Sequence, residues 1–349
     1  MSYLDNICEQ PQGLRSVTQR YKEAPEWEQL YQGWSARSSH RLVLTGLGAS
    51  FNALYPARYY LHRQGLAALH VDTGELIHYL PEWLDQPLVL VVVSQSGESV
   101  EVRKLLERMR ASTQRPSSVW LVSVTNQPGN TLAQQSNLAF YTHSGAEVGV
   151  ATKTYTSTLA LLHWLARALV GTLRPQDYLD VVQAAQVCES LLAHWQTWLD
   201  PAVVAVQPAA NFALVARGPS IASACNGALI LQEAARRMAA GFVGSQFRHG
   251  PMELISPQLA TVLFTLPGRT LDLSQRMAQD ICDRSGCLVT IGERLPGLRG
   301  VHLSLPTLNE WISPMVDILP IQLLAAQLAA ADGIVPGQFR WSGKVIQEE

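Results

Sequence analysis

Apolar residues in this chain come in short continuous runs separated by amphipathic stretches, and the alternation is repeated. Residues 41–45 (RLVLT), 87–93 (PLVLVVV) and 119–124 (VWLVSV) read as strands, and the middle run has almost no polar position. Such a run suits a parallel strand covered on both faces. Residues 53–63, 100–111 and 154–170 have helical spacing, a helix passes through Glu75, and shorter strands are expected near 68–71 and 138–141. After a helical stretch over 176–199 the pattern restarts, with strands at 212–217, 259–266, 288–291 and 302–303, a helix bearing Glu233 and a last helix over 311–331. Strands alternating with helices at these intervals predict right-handed βαβ units. The expected fold is therefore α/β, with two related halves that are each a parallel sheet flanked by helices on both faces. The expected boundaries are a lead-in at 1–24 (an arm or short helix), a first domain at 25–175, a connector at 176–200, a second domain at 201–331 and a polar tail at 332–349.

Composition narrows the picture. With 349 residues, 47% hydrophobic and 15% charged, the chain is long enough for two globular domains. A net charge of -2 provides no basic field for nucleic acid, so an anionic ligand has to be caught by local geometry. The apolar runs are short or interrupted and the start does not resemble a signal peptide, so no membrane contact and a cytoplasmic location are expected. Five cysteines, odd in number and without zinc spacing, read as reduced and mostly buried thiols, and nine scattered histidines give no metal site.

Four stretches carry candidate chemistry. Ser94-Gln95-Ser96-Gly97-Glu98-Ser99 lies where a buried strand turns into a helix, the place open parallel sheets keep for ligands. Its hydroxyls, its glycine and the free N–H groups of a helix start suit a phosphate, while helix capping alone is the competing reading. Gly46 to Ser50 forms a second such turn, in which Gly48 lets backbone approach a ligand and Ser50 adds a hydroxyl. As a dinucleotide fingerprint GLGASF lacks its third glycine, so a nicotinamide enzyme is the outside reading. Residues 150–156 (VATKTYT) are a hydroxyl-rich helix entry, open to capping or to ligand contact. Lys344 is either a solvated tail charge or part of a lid, an amine that meets a carbonyl.

The fourth stretch is 220–255. Asn226, Ile230, Glu233 and Arg237 follow at steps of four, three and four and are expected on one helical face, ahead of a Gly-rich turn that delivers His249. A carboxylate on a packed helix suits proton shuttling, while a Glu233–Arg237 surface pair is the plainer reading.

Taken together, these stretches resemble the sugar isomerase (SIS) domain family. The likeness is greatest to the two-SIS isomerase module of the glutamine–fructose-6-phosphate aminotransferases and to glucosamine-6-phosphate deaminase-like proteins. It rests on CEQP at 8–11, GLGASFNA at 46–53, SQSGES at 94–99, GVATKTYT at 149–156, RHGP at 248–251, PIQLLAAQLA at 320–329 and GKVIQEE at the end. The resemblance implies that Ser50, Ser94, Gln95, Ser96 and Ser99 clamp a sugar phosphate, with Gly48, Val150 and Ala151 on sugar-contacting segments. It further implies that Glu233 moves a proton between C1 and C2, that His249 helps open the ring from the neighbouring subunit of a homodimer, and that Lys344 can form an imine. Neither metal nor cofactor is implied.

Departures matter as well. The chain starts at the isomerase lead-in, without the glutaminase domain that supplies ammonia, and Asn226 and Ile230 stand where the synthase has a carboxylate and a lysine. The expected function is thus a phosphosugar isomerase or deaminase, acting on glucosamine 6-phosphate to give fructose 6-phosphate and ammonia. A deglycase of fructosyl-amino-acid phosphates, a plain aldose–ketose isomerase and a non-catalytic sugar-phosphate sensor are the alternatives.

Overall fold

The structure, a computed structural model, describes residues 2–111, 119–284, 286–341 and 343–346. Residues 342 and 347–349 of the tail lie outside the described residues. The chain forms two compact bodies. One is built from Gln12–Glu147, Lys153–Val181 and Trp341–Glu349, the other from Met1–Pro11, Val148–Thr152 and Val182–Arg340.

The first body holds strands β1 (Arg41–Gly46), β2 (Ala68–Asp72), β3 (Leu88–Val93), β4 (Val119–Thr125) and β5 (Leu138–Tyr141). All pairings are parallel, in the order β2-β1-β3-β4-β5. Central β3 is buried at all six positions, as its uninterrupted apolar run requires. On one face Val43, Leu90, Val92 and Leu121 pack against Leu105 and Leu106 of the Val100–Ala111 helix. Elsewhere in this body an aromatic cluster forms, with Trp27 stacked on Phe140 at 4.7 Å and edge-on to Trp164 at 6.3 Å. Tyr21 joins it and accepts a hydrogen bond from the Tyr141 N–H at 2.7 Å. The expected N-terminal arm is thus structured, as helices Tyr3–Cys8 and Gln10–Tyr21.

The second body repeats the plan with β6 (Asn211–Ala216), β7 (Met238–Val243), β8 (Leu259–Thr265), β9 (Cys287–Gly292) and β10 (Val301–Ser304). Its order, β7-β6-β8-β9-β10, is that of the first sheet, again parallel throughout. Ala213, Val215, Leu263 and Leu288 form its core with Met277 and Ile281 of the Leu271–Asp283 helix, which the sequence pattern did not announce.

Four expectations are corrected here. The Gly-rich turn after the Glu233 helix is strand β7 followed by a single helical turn, Gly244–Arg248. The strand was hidden by small residues that its packing demands: a Cβ on Gly241 would lie 2.6 Å from the Cα of Cys225, so helix Ile221–Ala235 rests directly on the strand. Arg237 does not share the helical face of Glu233, because Arg236 turns left-handed (φ 54°) and ends the helix; Arg237 pairs with Asp332 at 2.8 Å. The last helix is two, Pro314–Asp317 and Leu319–Ala331. All five cysteines are free, but only Cys188 is fully buried. The stretch Pro314–Ala331 is long and apolar enough to cross a membrane, yet 83% of it is buried within the protein.

One buried carboxyl in the second body sets a pH dependence. Asp317 is fully buried, and burial pushes it up to about 7 against the opposing effect of hydrogen bonds from Ser223 and Ser220. A carboxyl raised in the folded state contributes stability that is fully present below its unfolded value near 3.8 and is lost as pH rises toward 7. Asp317→Asn should therefore remove most of that fall. Between pH 5 and 8, urea unfolding of the wild type should lose on the order of 2–4 kcal/mol more than the variant, at about 1.4 kcal/mol per tenfold change in proton affinity. Equal losses in the two proteins would show that Asp317 is not the group responsible.

Candidate functional site

In a sheet of order 2-1-3-4-5 the connections leave β1 and β3 in opposite directions, and a crevice opens at their C-terminal ends. The two turns singled out in the sequence sit at this crevice. β1 ends at Gly46, whose missing side chain leaves room for the Val93 carbonyl at the end of β3 and the backbone of Ser50 and Phe51. A Cβ there would approach these atoms to 3.0–3.1 Å, so Gly46 brings the turn bearing Ser50 against the end of β3. Gly48 takes φ 51° and lies exposed at the start of the one-turn helix Gly48–Asn52.

From β3 the chain passes into Ser94–Ser99, which closes on itself. The Ser94 Oγ accepts the Gly97 N–H (3.1 Å), and the Ser96 Oγ accepts the Glu98 N–H (3.1 Å). The Ser99 Oγ accepts the Val102 N–H (3.4 Å) at the start of the Val100–Ala111 helix, and the Gln95 carbonyl accepts the Asn126 N–H (3.0 Å). Capping and ligand binding are therefore not exclusive, since a hydroxyl that accepts a backbone N–H still has its own O–H to donate. Gly97 holds φ 66° against Asn130, and the Glu98 carboxylate accepts from both the N–H and the hydroxyl of Thr131. The loop is thus fixed from below, and it follows directly from the end of β3 that the turn bearing Ser50 approaches. Hydroxyls and a helix start can balance an anion there without Lys or Arg.

Glu147 is a residue that the sequence reading missed. Its side chain is fully buried. One oxygen accepts the Thr154 N–H (3.1 Å), and the other accepts the Thr154 hydroxyl (2.5 Å) and the Lys344 Nζ (2.7 Å). Burial pushes this carboxyl up, but the Lys344 charge and hydrogen bond together with the Thr154 donors outweigh it and hold it below the ordinary carboxylate range. The only signal in the sequence was a lone carboxylate ahead of the hydroxyl-rich helix entry, with its partner 197 residues away. The tail is held a second time where the Val100 N–H donates to the Ile346 carbonyl (3.1 Å). Lys344 is thus tied to the body that carries the serine loop.

The remaining predicted residues lie in the second body. Val150 is buried and Ala151 is partly buried. Glu233 is half-buried in the last turn of Ile221–Ala235, on the face that carries Asn226, a fully buried amide whose oxygen and nitrogen both lack a hydrogen-bond partner. His249 is exposed just after Gly244–Arg248, ahead of Gly250 at φ 132°. Glu233 and His249 lie on opposite sides of β7 in the chain. Glu233 precedes β7 and His249 follows it, with the six residues of the strand, about 20 Å long at about 3.3 Å per residue, between them along the chain. Among the described residues no three His, Cys, Asp or Glu side chains cluster as metal ligands would.

The geometry defines a doubly wound α/β protein with a serine-rich cradle at the switch point of its first sheet. A family model described as SIS domain matches residues 36–168, the stretch that forms the first sheet, and the second sheet repeats its strand order. The chain is 28% identical over 354 residues to the glutamine–fructose-6-phosphate aminotransferase [isomerizing] of Pyrococcus horikoshii, covering 99% of this chain and 57% of that protein. It thus spans little more than half the length of that relative. Two solved structures share the fold: tagatose-6-phosphate ketose/aldose isomerase from Escherichia coli (TM-score 0.82, 19% identity, 97% of both chains) and glucosamine-6-phosphate deaminase from Thermotoga maritima (TM-score 0.76, 17% identity, 100% of both chains).

The cradle makes a direct prediction. Gly97→Ala forces an L side chain into φ 66° and drives a Cβ to 2.0 Å from the Asn130 Oδ1. A loss of about 1–3 kcal/mol in chemical denaturation is expected relative to the wild type. Wild-type stability in Gly97→Ala would show that the loop is not held as described.

Proposed function

We propose that this chain is a phosphosugar isomerase that deaminates, converting glucosamine 6-phosphate and water to fructose 6-phosphate and ammonia. The observation that carries the reading is the serine cradle at the ends of β1 and β3, whose hydroxyls accept backbone N–H groups and keep their own O–H to donate to a phosphate. The names of the similar proteins, all acting on hexose 6-phosphates, supply the sugar class.

In this reading Ser50, Ser94, Gln95, Ser96 and Ser99 hold the 6-phosphate, far from the reacting carbons. Binding energy from that end positions C1 and C2 and can be used at the transition state. His249, donated by the second copy of a homodimer, assists ring opening. Its exposure and its place at the far end of β7 from Glu233 both support a role across subunits. Glu233 removes the proton from C2 of the open-chain aldose, giving an enolamine, and returns a proton to C1. The product is the C2 imine of fructose 6-phosphate; water adds to C2, the C–N bond breaks and ammonia leaves. A single base on one face of the intermediate suffices.

The test follows ammonia and fructose 6-phosphate together from glucosamine 6-phosphate. Equal amounts of both are expected. Fructose 6-phosphate interconverting with an aldose phosphate without ammonia would replace the deaminase by a plain isomerase. Release of amino acid from a fructosyl-amino-acid phosphate would replace it by a deglycase, and binding without turnover of any of these would make the chain a sensor. Glu233→Gln should lower turnover by roughly 10²–10⁴-fold while sugar-phosphate binding, read by calorimetry, stays nearly intact. A variant with wild-type rate would remove Glu233 from the role of base.

A further inference from the structure

We infer that the second body carries an anion site of its own, sharing no residue with the serine cradle: a small cavity under the β9–β10 connection, where Arg294, Arg299 and His302 hold a phosphoryl group. The site does not depend on the phosphosugar reading above.

The cavity follows from a short connection. Parallel neighbours are ordinarily joined by a crossover of about a dozen residues or more, which lays a helix on the sheet. In the first sheet the connection from β4 to β5, residues 126–137, carries the helix Thr131–Gln135. Its counterpart between β9 and β10, residues 293–300, is shorter and contains no helix. It turns at Pro296-Gly297, with Gly297 at φ 75°, and leaves a cavity of about 200 Å³ against β9. The loop around the cavity is pinned. Leu295 is buried in the core beside Leu288, and the Cys282 thiol donates to the Arg299 carbonyl at 2.9 Å. Gly300, at φ 125°, presses against the Leu288 carbonyl, which a Cβ there would approach to 2.6 Å.

The strand side of the wall is polar. Thr290 and His302 are partners in the parallel register, so their side chains leave the same face of the sheet. The Thr290 hydroxyl and the His302 Nδ1 lie 2.6 Å apart. The His302 Nε2 is buried and has no hydrogen-bond partner among the described residues. Such an atom has given up its hydration without return unless a ligand supplies the missing bond. Burial, and then the Arg294 charge, hold His302 below the ordinary histidine range, so the imidazole is neutral at pH 7. With the Thr290 hydroxyl donating to Nδ1, the ring proton sits on Nε2 and is available to an acceptor.

The loop side supplies the charge. Arg294 and Arg299 line the cavity and no acidic side chain does. Among the described residues neither guanidinium is in an ion pair. Two guanidinium groups match the two charges of a phosphoryl dianion and present forked donors to its oxygens. The same charges repel a cation. At about 200 Å³ the cavity is smaller than the roughly 300–1,000 Å³ that hold drug-sized ligands, so it suits phosphate or the phosphoryl end of a small ester. Leu288 and Leu298 add apolar wall on which the carbon side of an ester can rest.

The experiment follows hydrogen exchange of residues 293–303 in the full-length protein by mass spectrometry. Inorganic phosphate and glucosamine 6-phosphate are each compared with chloride at equal ionic strength, which separates binding from screening. Phosphate is expected to protect the loop in the wild type. Arg294→Gln combined with Arg299→Gln, at exposed positions, should raise the phosphate concentration needed by about tenfold or more. Exchange of residues 94–99, in the other body, should respond to phosphate in the same way in both proteins. Should the double variant fail to fold, Arg294→Gln alone gives the reading. Protection of 293–303 by both ligands would assign the site to the phosphoryl group itself, and protection by the sugar phosphate only would assign it to an ester; either supports the site. No protection of the wild type by either at millimolar concentration, or equal protection in the double variant, would overturn it.

Discussion

Parallel pairing is the constraint on which the rest of this structure depends. Two parallel strands cannot be joined by a tight turn, so every connection must cross back over a face of the sheet before the next strand begins. Strands such as Leu88–Val93 are then covered on both sides and consist of apolar residues, leaving chemistry to the strand ends. Where the chain leaves β1 toward one edge and β3 toward the other, no connection fills the gap between them. The turn bearing Ser50 and the loop Ser94–Ser99 are brought together there by the sheet, with Gly46 allowing the close approach.

That origin also explains the electrostatics. A crevice at helix starts already has a positive potential from unpaired N–H groups, and hydroxyls add adjustable donors. An anion can be held without a standing cation, in keeping with the net charge of -2. A lysine entering such a place must bring or find a carboxylate. Glu147 meets that need and adds a cost in desolvation, which its hydrogen bonds to Thr154 and its contact with Lys344 offset.

How much of this was legible in the sequence followed the range of each signal. The run LVLVVV and the serine loop after it are local, and strand and loop lie where the pattern put them. β7 was not legible because its sequence, MAAGFV, is shaped by the helix lying on it more than by an alternation of its own; Gly241 is there to admit Cys225 and looked like a turn signal. Arg237 kept helical spacing in sequence, but one left-handed residue moved it off the helix and toward Asp332. Glu147 escaped for a different reason. Its meaning comes from a tail residue distant in sequence, and no local periodicity encodes such a pair.

The placement of Glu233 and His249 follows from the same βαβ geometry. A crossover helix runs antiparallel to its strands, so its last turn lies near the start of the next strand, and whatever follows that strand lies at the opposite end of the sheet. Glu233 lies in the last turn of the helix before β7, and His249 follows the single helical turn beyond that strand. In the reaction proposed above, this placement is the reason His249 is assigned to a neighbouring copy of the chain: an exposed histidine beyond the end of a strand is suited to being lent, whereas a carboxylate on an Ala-rich helix is suited to staying in place.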